Sequence, residues 1–391
     1  MQIAFTGDVM LGRLVNSVLC NDKFTYVWGD TLDIIRNADV SLINLECVIS
    51  SVGEEWNKTF KMFHFRAHPD AINVLKIADI DYVSLANNHV LDYNNEALVE
   101  MLNLLDNSEI KHSGAGRNLK EAVEPAVLKI YKRTEPNKKN VSGASKNDDD
   151  VDDISVVRIG IVSLTDNEPQ WEATESLPGT NYIPIKLRKY KEKEKDKTIV
   201  SRNAVYYNRL KYSIQKAKQT TDLVIVSSHV GPHFREMPSS DYVNFAHMII
   251  DMGADIYWGH SNHTPQGIEI YKQNKVIMYD CGDFMDDYAV DPVHRNDLSF
   301  LFLLNFECSK NKNNTSSSNS SSSNYCMIKE IELIPTKIYD FSVNTALLDE
   351  DEQVVISRMI KRCNYLGTKN CIVIDKRETT GRKKRIKIPI V

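Results

Sequence analysis

At 391 residues, with 42% hydrophobic and 26% charged residues, the chain has the composition of a soluble globular protein with room for one large domain or two ordinary ones. A net charge of -5 argues against nucleic acid as a partner, and no apolar run approaches the ~20 residues that a membrane-spanning segment needs. Seven cysteines, odd in number and without a CxxC pair, fit reduced thiols better than a disulfide framework. A strand that starts at Gln2 leaves no room for a secretory signal ahead of Asp8, so a cytoplasmic location is expected.

Apolar runs predict strands at 2–6, 40–45, 82–86, 156–164, 223–227, 256–258, 276–280, 300–306 and 328–334. Most are continuous in Val, Ile and Leu, the pattern of strands buried on both faces. Helical spacing lies between them: 11–19, a run that starts at Pro69, 96–105, 204–218, a segment after Ser239 that closes at Gly253, and 350–365, ended by Gly367 and expected on the outside. Early strands alternate with helices, and those after Val276 follow one another directly. This order predicts a layered α/β sandwich with one parallel-rich sheet and one mixed or antiparallel sheet. Residues 133–153 and 309–324 are low-complexity insertions within a domain, 186–197 is a charged face or loop, and 382–387 is a basic surface tail.

Six polar clusters sit at the ends of these runs: Gly7-Asp8, Asn44-Leu45-Glu46, Asn87-Asn88-His89, Ser228-His229, Gly259-His260-Ser261-Asn262-His263 and Gly282-Asp283. Asp, Glu, Asn and His all offer oxygen or imidazole nitrogen to a divalent ion, and their ordered delivery to one sheet edge points to a shared metal site. The candidate ligands are Asp8, Glu46, Asn88, His229, His260 and His263. Glu46 is preferred to Asn44 as a bridge because its two oxygens can reach two cations; Asn44 reads equally well as a hydrogen-bonded support. Asp8 taken alone could instead cap the helix that follows it. His89 is the candidate proton donor, with Asp92 holding its other ring nitrogen. Arg13 could grip an anionic oxygen or form a surface salt bridge. Asp283 reads as a partner orienting His260 or His263, His233 as an accessory residue, and Cys281 as a core thiol rather than a nucleophile.

The run from Phe5 to Arg13, then Asn44-Leu45-Glu46, then Leu85 to His89 with Asp92, resembles the CapA/PgsA family of capsule and poly-γ-glutamate synthesis proteins. Ser228-His229-Val230-Gly231 and the stretch from Gly259 to Tyr288 are similar to that family's second half. The resemblance implies a calcineurin-like metallophosphoesterase fold, a four-layer α/β/β/α sandwich, over 1–340, followed by a C-terminal helix and basic tail over 341–391. It also implies a dinuclear site. Met10 stands where such sites carry a histidine, and Glu46 where they carry a bridging Asp. The leading expectation is a soluble hydrolase that uses two divalent ions (Mn, Fe or Zn) on a phosphoester or related small or polymeric anionic substrate. The alternative is a non-catalytic component of capsule or polyglutamate assembly that binds an anionic polymer.

Overall fold

The structure, a computed structural model, describes residues 1–19, 23–133, 154–185, 197–310, 324–345, 347–375 and 384–390. The two low-complexity insertions and the charged stretch after Lys186 lie almost wholly outside these residues. In the first part of the chain, strands β1 (Gln2–Val9), β2 (Val40–Leu45), β3 (Tyr82–Ser84) and β4 (Lys111–Ser113) run parallel. Helices α1 (Arg13–Leu19), α2 (Leu32–Arg36), α3 (Ile72–Ile77) and α4 (Asn94–Asn107) lie between or after them. The next part supplies β5 (Ala126–Arg133), β6 (Ile154–Thr165), α5 (Lys197–Thr220), β7 (Leu223–His229), α6 (Ser240–Met252), β8 (Ile256–His260), β9 (Ile268–Tyr271) and β10 (Lys275–Met278). The last part adds β11 (Asp283–Met285), β12 (Leu298–Lys310), β13 (Asn324–Tyr339), β14 (Ser342–Asn344), α7 (Asp349–Tyr365), β15 (Ile372–Ile374) and β16 (Arg385–Pro389).

These strands form two main sheets. The first has the order β15-β16-β13-β12-β1-β2-β3-β4, with β11 beside β1 and β14 beside β13; the second has the order β9-β10-β8-β7-β6-β5. The second sheet is parallel through its centre and antiparallel at both edges, and the first is mixed, as strand order predicts. The late strands do not form a sheet of their own, however. They extend the early parallel strands, because β12 pairs antiparallel with β1.

Side chains alternate faces along each strand, which sets the layers. Ile3, Phe5 and Leu42 point toward Ile159, Ile225, Ile256 and Trp258 of the second sheet, forming the core between the sheets. Ala4, Ile43 and Val83 point the other way and meet Val15, Ile35, Leu75, Leu98 and Met101 of α1–α4. On the far side, Val162, Val224 and Val226 meet Leu210, Ile214, Phe245 and Ile249 of α5 and α6. The order helices–sheet–sheet–helices is the four-layer sandwich expected from the resemblance. Residues from more than one element cover both faces of each sheet, which is why most strands read as unbroken apolar runs.

Three expectations are corrected. Helix α7 does not sit on the outside: Val355, Ile356, Met359 and Cys363 join the core between the sheets. The basic run near the end is not wholly a surface tail, because Ile386 and Ile388 of β16 are fully buried against β13 and Arg385 contacts Glu332. Its charges alternate with apolar residues at the period of a strand. The cysteines are not all reduced thiols. Cys308 and Cys326 oppose each other across β12 and β13 with Cα atoms 4.1 Å apart and form a disulfide. Antiparallel register brings them together, which their sequence spacing does not reveal. Cys47, Cys281, Cys363 and Cys371 are free.

Close backbone approach shapes the edge at which β1 and β8 end. A Cβ on Gly7 would lie 1.8 Å from the Gly282 carbonyl oxygen, and one on Gly259 would lie 1.9 Å from that of Tyr279. Gly7→Ala is expected to destabilise the fold by about 1–3 kcal/mol, the range for overpacking; an unchanged thermal midpoint would contradict this contact. Cys308 and Cys326 are expected to resist alkylation until a reductant is added, and labelling of either without reductant would contradict their pairing.

Candidate metal centre

Strand register brings the site together. Asp8 is level with Asn44 on one side and Asp283 on the other, and in the facing sheet His229 is level with His260. Parallel strands of both sheets therefore end at one edge, where open α/β sheets place ligands. The indole of Trp258 donates to the Thr6 carbonyl at 3.0 Å and ties the two edges together just beneath the site.

Asp8, Glu46, His263 and Asp283 each present a donor atom within 4.8 Å of the others, and all four are buried. On the side toward the second sheet, His260 Nδ1 lies 3.1 Å from Asp8 Oδ1 and His229 Nε2 lies 3.7 Å from Glu46 Oε1. Asp8 and Glu46 thus stand between two pairs: His263 with Asp283, and His229 with His260. Asn44 Nδ2 donates to Asp8 Oδ1 at 2.7 Å and lies 3.2 Å from His229 Nδ1, so its amide is engaged as a support. Asn87 holds Asn44 in turn, donating to its side-chain oxygen at 3.3 Å and to the Leu45 carbonyl at 2.8 Å.

Orphaned donors test whether a cation fits. His229 Nε2, His260 Nε2, Asn88 Oδ1 and Asp283 Oδ2 are buried without a hydrogen-bond partner. Unsatisfied buried polar atoms are rare and costly, and these are all metal-donor atoms. His263 Nδ1 bonds Asp283 Oδ1 at 2.7 Å, which leaves Nε2 free with its ring oriented by a carboxylate. The residues fit a divalent metal. Met10 does not contribute: its side chain is fully buried in the helix-side core, and its sulfur accepts from the Gly12 amide at 3.0 Å.

Electrostatics point the same way. Burial, followed by the fields of Asp8, Asp283 and Asp286, pushes the Glu46 carboxyl well above its usual range. Burial likewise raises Asp283 and Asp286, each reinforced by a neighbouring carboxylate. Burial would also raise Asp8, but contact with His260 and the fields of His229, His260 and His263 outweigh it and hold Asp8 below the ordinary range. Burial keeps His229 and His89 well below the usual imidazole value, so both are neutral. Neutral imidazole is the form that ligates metal.

His89 Nδ1 bonds Asp92 Oδ2 at 2.6 Å, and its Nε2 faces the centre 4.0 Å from Glu46 Oε1. Burial raises Asp92 to about 7, opposed by Lys61, whose ammonium lies 3.4 Å from Asp92 Oδ1. The Phe65 amide donates to Asp92 Oδ2 at 2.6 Å, and the Phe65 ring stacks on His89 at 3.9 Å. Arg13 is exposed at the cleft wall, with Nε 3.3 Å from Asp287 Oδ2. His233 packs against the His263 ring at 4.5 Å. Burial raises the Cys281 thiol well above its usual value, consistent with an inert core thiol.

Sequence reasoning did not find Lys61, Phe65, Asp286 or Asp287. The first two come from the loop between β2 and α3, where no periodicity marks them. Asp286 and Asp287 follow Asp283 directly, and that acidic run was the available signal.

Among curated relatives, the chain is 29% identical over 305 residues to the probable polyglutamine synthesis accessory protein Rv0574c of Mycobacterium tuberculosis (strain ATCC 25618 / H37Rv), covering 76% of this chain and 70% of that one. It is 26% identical over 290 residues to the capsule biosynthesis protein CapA of Bacillus anthracis, covering 73% and 60%. The crystal structure of TT1561 of Thermus thermophilus aligns with 77% of this chain and 92% of that chain at 12% identity, with a TM-score of 0.36, too loose a likeness to carry an argument. Residues 2–288, the span that holds every candidate ligand, match the model of the bacterial capsule synthesis protein PGA_cap, and the chain belongs to that family.

Proposed function

We propose that this protein is a metal-dependent hydrolase of a phosphoester or related anionic substrate, acting within capsule or poly-γ-glutamate synthesis. The observation that carries this reading is the convergence of Asp8, Glu46, His263 and Asp283 within 4.8 Å, with the unpartnered nitrogens of His229 and His260 beside them. Asp8, Glu46, Asn88, His229, His260 and His263 would hold the metal, two ions in the full arrangement, and Asp283 would orient His263. The nitrogen and oxygen donor set suits Mn, Fe or Zn. Such ions supply Lewis-acid polarisation of a phosphoryl oxygen.

The chain's own residues then do two things. His89, neutral at rest, would accept a proton at Nε2 from the attacking water and pass it to the leaving group, while Asp92 on Nδ1 fixes the tautomer and stabilises the imidazolium formed in between. Arg13, at the cleft wall, steadies negative charge that develops on the substrate. One observation favours a second reading, an anionic-polymer-binding component without catalysis: the Met10 sulfur is turned into the core, so the set lacks one donor.

Two measurements test the proposal. Elemental analysis of His260→Ala is expected to show at least about tenfold weaker metal retention than the unmodified protein, and undiminished content would overturn the ligand assignment. His89→Asn is expected to keep its metal and lose about 10²–10⁴-fold in turnover of a simple phosphodiester. Unchanged turnover, or none in the unmodified metal-loaded protein, would favour the binding role.

A further inference from the structure

The walls above the metal centre differ in kind from its floor. A cleft of about 330 Å³ opens over His89 and His263, with Arg13, Phe63, Phe65, Phe234 and Tyr288 among its lining. Its rings form a nearly continuous surface. Phe63 stacks on Phe65 at 6.4 Å, Tyr288 lies 5.5 Å from Phe65, and Phe234 lies 5.5 Å from His263. Phe63 is 54% exposed, an apolar face turned to solvent beside a polar centre.

Among the described lining residues, Arg13 is the one permanent cation. It is engaged twice over, with Nε on Asp287 and the guanidinium 5.8 Å and 5.6 Å from the ring centres of Phe63 and Phe65. A polyanion carries charge on every repeat unit and is held by rows of Lys and Arg; this lining has no such row. Its volume suits a small molecule, and its walls suit a planar group.

We propose that the cleft takes a substrate with a single anionic head joined to an aromatic body, an aryl or heteroaryl phosphoester, its head over the Asp8–Glu46 floor and its ring against Phe63, Phe65 and Phe234. The proposal rests on the metal-dependent hydrolase reading and narrows it to a substrate class. Phe63, Phe65 and Phe234 are specificity residues here, contributing ring contact and no chemistry.

The test is calorimetric binding of phenylphosphonate, methylphosphonate and penta-γ-glutamate to the metal-loaded protein, with metal content measured on the same samples. Phenylphosphonate is expected to bind about three- to tenfold more tightly than methylphosphonate, the factor that ring contacts supply. Phe63→Ala and Phe234→Ala should each reduce that preference and leave methylphosphonate affinity and metal content unchanged. Phe63→Leu, which keeps apolar area but removes the ring face, should behave like Phe63→Ala. Equal affinity for the two phosphonates, a preference that survives both alanine changes, or tighter binding of pentaglutamate would overturn the substrate class. If the protein still holds metal and still depends on His89 for turnover, the hydrolase reading survives that failure. A protein that neither retains metal nor turns over a phosphoester overturns both.

Discussion

Buried negative charge is the constraint on which the rest of this structure depends. Asp8, Glu46, Asp283 and Asp286 are each at most 4% exposed, and among the described residues no Lys or Arg forms a salt bridge with any of them. Isolated buried carboxylates are costly, so a group of four persists only if protons or cations compensate them. Histidines supply part of the answer, yet their burial keeps His89 and His229 neutral. A chain that gathers carboxylates and neutral imidazoles in one dry place has a site suited to divalent ions, and its surroundings serve to hold that arrangement rigid.

The rigidity comes from polar ties between the sheets as much as from the apolar core. The Trp258 indole bonds the Thr6 carbonyl, Ser227 Oγ meets Ser84 Oγ at 2.9 Å, and the Tyr82 hydroxyl meets Ser163 Oγ at 2.5 Å. Each tie joins a strand of one sheet to a strand of the other near the edge where the candidate ligands lie. Asn87 and Asn44 continue the chain of support up to Asp8 and His229. Catalytic and metal-binding geometry tolerates little slack, and hydrogen-bonded support of this kind locks the side chains that a packed core alone would leave free to turn.

Much of this was legible in the sequence because strands buried on both faces read as unbroken apolar runs, and the first polar residue after such a run must lie at the sheet edge. That logic reaches Asp8, Glu46, His229 and His260, and it is why the edge could be foreseen without a structure. It fails for Lys61, Phe63 and Phe65, which lie on a loop whose path follows no period. It also fails for β16, where Arg385 and Lys387 conceal the buried Ile386 and Ile388, and for β5, where the outward Lys129 breaks the apolar run although Ala126, Leu128 and Ile130 alternate inward. The Cys308–Cys326 pair was hidden for another reason: register across a hairpin depends on tertiary pairing, and two isolated cysteines carry no trace of it.

Strand β1 precedes both of its sheet partners in the chain yet lies between them, with β2 on one side and β12 on the other. Its partner on the β12 side comes late: Gln2 pairs with Asn305, 303 positions along the chain. During synthesis the strand that carries Asp8 therefore keeps one edge unpaired until most of the chain has been made. Pairings this distant fold slowly, and an open apolar strand is a template for association with other chains. The same placement that buries Asp8 between its neighbours thus leaves one edge of this strand open to other chains until β12 arrives.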